Sequence, residues 1–253
     1  VVDRTSGLPA FRQVAADLRA KIASGEYEPG DRLPSERELV ESYGVSRPTI
    51  RDAVNVLRSE GIVVAEHGRG VFVRRPARIR RLARSRLSRQ ARESGQGAFL
   101  ADAATEGFTP SSSVKVGFEP ASERVAQLLQ IEPGDEVTVR DRVMRADGAV
   151  VQLAVSRLPR TLTRHTAIEQ VDTGHGGTYA RLEEAGHRIA SFAEHVGARM
   201  PEPQEASALQ LGSGVPVITV TRLAVTAERT PLEINDIVLP ADRYELAYEW
   251  PSD

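Results

Sequence analysis

The sequence predicts an α+β protein in two parts: helices closed by a β-hairpin over residues 8–75, then a largely antiparallel sheet with flanking helices over 97–250. Three observations carry that expectation. The 253 residues, 40% apolar and 27% charged, suffice for two ordinary cores. The apolar spacing is helical up to about residue 60, whereas strand-like runs alternate with helices after residue 97. The charge is also divided: residues 1–92 carry 19 Lys+Arg against 11 Asp+Glu, and the remaining 161 carry 14 against 24. A basic module that meets a polyanion, followed by an acidic one that need not, fits this asymmetry.

In the first segment, Leu8 to Ser24, Phe11, Val14, Ala15, Leu18 and Ile22 fall on one helical face. Gly25, Pro29, Gly30 and Pro34 then mark a connection. Ser35-Glu36-Arg37-Glu38 has the S-x-x-E form of a capping box and starts a second, short helix that Gly44 ends. Ser46 is placed to cap a third helix, with Pro48 tolerated in its first turn, running through Ile50, Ala53, Val54 and Leu57 to Gly61. The β-branched runs Ile62–Ala65 and Val71–Arg74 flank His67-Gly68-Arg69-Gly70 and read as a hairpin.

From 76 to 96 the chain is arginine-rich and reads as an interdomain linker, some of whose arginines could add phosphate contacts. Beyond it, strands are expected at Val114–Phe118, Val137–Arg145, Val150–Leu158, Arg188–Ala198, Val215–Val225 and Leu232–Leu239. Helices are expected at Phe99–Glu106, Ser122–Leu129, Thr178–Ala185 and Pro203–Leu209. The glycines of Gly174-His175-Gly176-Gly177 read as a turn.

Helix, helix, turn, helix and hairpin is the order of a winged helix-turn-helix. A helix fits the major groove, and its N-terminal turn presents side chains and free amides to bases and phosphates. Here that turn carries Ser46, Arg47, Thr49 and Arg51, with Arg47 and Arg51 four apart on one face. Arg37 begins the preceding helix, and Arg69 supplies charge at the hairpin tip beside glycines that allow close approach.

The run PGDRLPSERELVESYGVSRPTIRDAVNVLRSEGIVVAEHGRGVFV resembles the DNA-binding signature of the GntR family. The resemblance implies that Arg37, Arg47, Thr49 and Arg51 read or clamp double-stranded operator DNA, with His67 and Gly68 making the wing-tip contact. It also implies a homodimer on an inverted repeat. Gly97-Ala98-Phe99, Glu106-Gly107-Phe108-Thr109-Pro110, Arg142 with Ala146-Asp147-Gly148, Leu158-Pro159, Thr178-Tyr179 and Asp242-Arg243-Tyr244 are similar to the UTRA domain of the HutC-type subfamily. That resemblance implies a chorismate-lyase-like antiparallel sheet that binds a small-molecule effector. Its implied effector residues are Phe99, Arg142, Glu233 and Tyr244, with Arg140 as a substitute for a second arginine where Met144 stands. The apolar Ala98, Leu100 and Ala154 point to an effector with less charge and more apolar surface than a phosphosugar, carrying a single carboxylate for Arg142. A C-terminal domain that only dimerises is the alternative.

No enzyme is expected. The histidines show no H-E-x-x-H spacing, and neither a Gly-x-Ser-x-Gly elbow nor a phosphate-cradling loop occurs. With no cysteine, disulfides, thiolate nucleophiles and cysteine-ligated zinc or iron–sulfur clusters are excluded and the default address is cytoplasmic; no cofactor or metal is expected. No apolar run approaches membrane-spanning length, and the first residues lack a signal-peptide core.

Overall fold

The computed structural model describes residues 2–3, 5–66, 68–74, 79–82, 87–88, 97–212 and 214–249. They form two compact units, the first comprising Val1–Pro76 with Leu211–Pro216, the second Ala77–Gln210 with Val217–Asp253.

In the first unit α1 (Ala10–Ala23) buries Val14, Ala15 and Leu18, the inward stripe of its helical period. α2 (Glu36–Tyr43) opens on a complete capping box: the Glu38 amide donates to Ser35 Oγ (3.3 Å) and the Ser35 amide to Glu38 Oε2 (2.7 Å). It ends at Gly44, whose φ of 65° is the left-handed conformation that only glycine adopts freely. α3 (Arg47–Ser59) is capped by Ser46 and buries Ile50, Ala53, Val54 and Leu57 against α1 and α2. β1 (Val63–Glu66) and β2 (Gly70–Val73) form the antiparallel hairpin. The segment before α2, expected as a plain connection, pairs with β2: the Leu33 amide donates to the Val71 carbonyl (2.8 Å) and the Val73 amide to the Asp31 carbonyl (2.8 Å). The wing therefore has a third strand-like edge, and Leu33 joins the core.

In the second unit a six-stranded sheet, antiparallel throughout, runs in the order β4 (Pro110–Pro120), β5 (Glu136–Ala146), β6 (Ala149–Pro159), β9 (Pro231–Pro240), β8 (Val217–Val225), β7 (Ser191–Arg199). One face is covered in part by α5 (Glu123–Leu129), through Val125, Ala126 and Leu129 on Val137 and Ile234. The opposite face is covered by two apolar clusters. One packs α4 (Ala98–Glu106) through Phe99 onto Met144, Ala154, Val220 and Ile237. The other packs the 3-10 turn Ala167–Glu169 and α7 (Gly177–Glu184) through Ile168 and Leu182 onto Leu158, Ala224 and Leu232. A one-turn helix, α6 (Arg160–Thr163), follows β6, and α8 (Pro203–Ala208) lies between β7 and β8. Strand β7 starts at Ser191, three residues later than the expected Arg188.

The stretch 76–96, expected to be connector throughout, contains a strand. β3 (Ile79–Leu82) pairs in parallel with β10 (Tyr244–Ala247). Ile79 and Arg81 are buried while Arg80 is exposed, the two-residue alternation of a strand. Apart from these four residues and 87–88, the stretch lies outside the described residues.

Candidate DNA-binding surface and effector face

The N-terminal turn of α3 presents Arg47 and Arg51, each with 60% of its side chain exposed. Their separation of four residues sets them on one side, and both lean on the same carboxylate: Arg51 Nε lies 2.9 Å from Glu36 Oε1 and Arg47 Nε 3.6 Å from Glu36 Oε2. Glu36 raises the Arg51 pKa, keeping that guanidinium charged. Arg37 is 78% exposed, with Glu41 3.9 Å away, an ion pair too long and too hydrated to hold it back from a phosphate. Ser46 is used within the helix: its Oγ accepts from the Thr49 amide (3.4 Å) and lies 2.8 Å from Thr49 Oγ1. Cap and hydroxyl pair thus fix the start of α3.

At the wing tip Arg69 pairs with Glu66 and lies 5.4 Å from the Phe72 ring centre. Gly68, at φ 73°, meets nothing at its missing Cβ, so its backbone is open to close approach. His67 lies outside the described residues. A cleft of about 420 Å³ between α2, α3 and the wing has Arg32, Arg51 and Arg58 among its lining, alongside Glu36 and apolar side chains such as Leu39 and Val54.

On the inner face of the six-stranded sheet, polar side chains line up across five strands. Arg140 of β5 is paired with Ser156 of β6, Ser156 with Asn235 of β9, Asn235 with Arg222 of β8, and Arg222 with Glu194 of β7. This row separates the two apolar clusters described above. Glu194 is its hub: Oε1 accepts from Arg222 Nε and from Arg81 Nη2 (2.8 Å each), and Oε2 from Tyr248 Oη (3.0 Å). Burial alone would raise the Glu194 pKa, but Arg81 and Arg222 offset it and hold the carboxyl below its usual range. Arg222 is likewise held charged by Tyr179 and Glu194 against its burial.

Of the expected effector residues, Arg142 and Glu233 meet at this row. Arg142, one register step beyond Arg140, donates to Ser156 Oγ, and Glu233 accepts from Tyr179 Oη at 2.5 Å. Burial lowers the Arg142 pKa, and Glu233 opposes that shift. Phe99 and Tyr244 lie in the neighbouring apolar cluster with Met144 and Ala154, Phe99 5.4 Å from the Phe108 ring centre. The terminal nitrogens of Arg140 donate to the carbonyls of Ile168 (2.6 Å), Gln170 and Val171 (3.0 Å), so it braces the loop after the 3-10 turn. Burial and Arg142 push its pKa down to about 10. A further buried guanidinium beside Arg142 comes from β8 as Arg222. Arg222, Glu194, Asn235 and Gln152 were not anticipated as site residues. No group of three or more His, Asp and Glu able to hold a metal ion occurs among the described residues.

The model of the bacterial regulatory proteins of the gntR family matches residues 10–73, and that of the UTRA domain matches residues 106–245. An HTH-type transcriptional regulator of Streptomyces coelicolor is 30% identical over 96% of this chain and 93% of its own length. The transcriptional repressor NagR of Bacillus subtilis is 26% identical over 98% and 97%. A crystal structure of a GntR-family transcriptional regulator superposes with a TM-score of 0.69 at 30% identity, covering 97% of this chain and 98% of that one. The fold of PhnF from Mycobacterium smegmatis matches with a TM-score of 0.60 at 24% identity, over 95% and 100%. The chain belongs to the GntR family of bacterial regulatory proteins, its winged helix-turn-helix followed by a UTRA domain in the HutC-like arrangement.

Proposed function

We propose that this regulator is a cytoplasmic repressor that binds an inverted-repeat operator as a homodimer and is released by a small-molecule effector. Residues 8–75 supply the DNA contacts and residues 97–250 hold the effector and the dimer interface. Arg37, Arg47, Thr49, Arg51, Gly68 and Arg69 touch DNA, joined by His67, while Ser46 acts on DNA only through the helix start it fixes. The observation that carries the reading is the exposed Arg47–Arg51 pair, on one side of the α3 N-terminal turn and held at a common carboxylate. Bidentate pairing of either with guanine in the major groove follows from that geometry. The similarity to a repressor over nearly the full length of both chains supports the negative sign of regulation.

The effector is a lightly charged molecule with apolar surface, its carboxylate at Arg142 and its body toward Phe99 and Tyr244. The interleaving of a buried polar row with two apolar clusters supports that composition. A genomic-fragment selection with purified protein, read by sequencing the retained DNA, tests the operator. Enrichment of one short inverted repeat is expected, and retention without sequence preference would refute a specific operator. A thermal-shift panel tests the effector. Strong stabilisation by glucosamine 6-phosphate would exclude a lightly charged ligand, and no response to any small molecule would leave the domain a dimerisation module.

A further inference from the structure

The inner face of the sheet holds more buried charge and more unmet hydrogen-bonding capacity than its own contacts satisfy. Among the described residues, four guanidinia meet there, those of Arg81, Arg140, Arg142 and Arg222, against three carboxylates, those of Asp102, Glu194 and Glu233. Arg142 Nε is buried there without a hydrogen-bond partner. A buried donor left unmet is costly, so an anion that accepts from these guanidinia is the complement.

The unmet atoms are placed in order along the strands. Asn235 Oδ1 and Arg142 Nε, at or next to the polar row, are buried without a hydrogen-bond partner. One register step on, in the row that Arg142 begins opposite Ala154, the rest of the floor is apolar: Ala154 pairs with Ile237, and Ile237 with Val220. A further step on, Gln152 stands opposite Met144, only 3% exposed. Its Nε2 reaches Met144 Sδ (2.8 Å), and its Oε1 has no partner. Ser156 and Gln152 are four residues apart on one strand, about 13 Å at the rise of a strand. The face thus reads in sequence as cation pair, apolar floor, hydrogen-bond acceptor.

We propose that this face binds an elongated monocarboxylate, its carboxylate held between Arg142 of β5 and Arg222 of β8, its apolar middle over Ala154 and Ile237, and a hydroxyl or amine at its far end donating to Gln152. The proposal rests on the effector reading and adds Arg222 and Gln152 to it. Arg222 sets the charge of the ligand, and Gln152 sets its length and its polar terminus. A plain fatty acid would leave the Gln152 acceptor unmet.

Calorimetric titration of the full chain with 6-hydroxyhexanoate, hexanoate, 1,6-hexanediol and inorganic phosphate tests this. The wild type should bind 6-hydroxyhexanoate about tenfold more tightly than hexanoate, the scale of one satisfied buried acceptor. The diol and phosphate should bind more weakly than either acid. Gln152→Met, which keeps the side-chain length without the amide, should abolish or reverse the preference for the hydroxyl while retaining hexanoate. Arg222→Gln should lose both acids, and the Gln152→Met selectivity keeps the test decisive if Arg222→Gln does not fold. Equal preference in wild type and Gln152→Met overturns the proposal, as does tighter binding of phosphate. Absence of binding by either acid also overturns it and means that buried water satisfies these groups. Operator release by some other compound would then preserve the effector reading while this one falls.

Discussion

Ser46 and Arg51 sit five residues apart, yet their roles separate cleanly. The Ser46 hydroxyl is committed to Thr49 and to the helix start, whereas the Arg51 guanidinium is 60% exposed and tied only to Glu36. Ser46→Ala should therefore lower stability by about 1 kcal/mol, read as a lower melting temperature, with DNA sequence preference unchanged. Arg51→Ala should leave stability near wild type and cost roughly 1–3 kcal/mol of binding to the preferred operator alone. If affinity for all sequences falls equally, Arg51 contacts phosphate and not a base. In the second unit, Glu194 gives the sharpest titration. Its folded pKa lies below the unfolded value because Arg81 and Arg222 outweigh its burial. Its contribution to stability is therefore present above the ordinary glutamate pKa and is lost as pH falls through the lowered one. Glu194→Gln should be less stable than wild type at pH 7, and the gap in urea midpoint should close as pH falls below about 4. A gap that stays constant with pH would mean that the loss is one of packing.

At the scale of elements, the turn between α2 and α3 depends on one backbone conformation. Gly44 has φ 65°, and a Cβ there would meet nothing within 4 Å, so an alanine would suffer only backbone strain. Gly44→Ala should cost about 1–2 kcal/mol. Hydrogen exchange should then speed up across α2 and α3 and not across the six-stranded sheet, and uniform acceleration would refute a local effect. This turn was legible in the sequence because capping box, glycine and N-cap serine are local signals, each acting within four residues. So were the helices of the first unit, whose stripes face a single core. The pairing of residues 31–33 with β2 was not, because proline and glycine around it imitate a loop. Nor was β3, whose partner β10 lies more than 160 residues away and whose inward arginine breaks the apolar pattern. The buried polar row was half legible. Arg142 and Glu233 were named through resemblance, while Arg222 and Asn235 went unremarked. Yet both sit in phase with apolar neighbours, Arg222 between Val220 and Ala224, and Asn235 next but one to Ile237. A charge or amide on the buried phase of a strand was the available signal. Sequence spacing ranks neighbours along one strand and so pairs Arg140 with Arg142 on β5, whereas the sheet also brings Arg222 in from three strands over.

For the molecule as a whole, the excess of basic residues before residue 93 and of acidic ones after it makes DNA affinity a matter of counterions. Each phosphate contact releases condensed ions, so the slope of log affinity against log salt counts the contacts, at about 0.9 per phosphate. A two-fold operator bound by a homodimer doubles every contact, because a substitution removes the same side chain from both half-sites. Arg37 is the residue suited to this count, since it is 78% exposed, its one ion pair is long, and its loss opens no core. Arg37→Ala should therefore flatten the salt slope by about 1.8 if two subunits each lose one phosphate contact, and by about 0.9 if a single subunit is bound. The slopes come from fluorescence anisotropy on a labelled operator between low and physiological salt, at protein concentrations fixed above any dimer dissociation. A change near 1.8 supports the paired subunits that an inverted-repeat operator requires. A change near 0.9 would leave one winged helix per site and remove the dimer from the mechanism. An unchanged slope would place Arg37 off the DNA and return the phosphate contacts to Arg47, Arg51 and the wing.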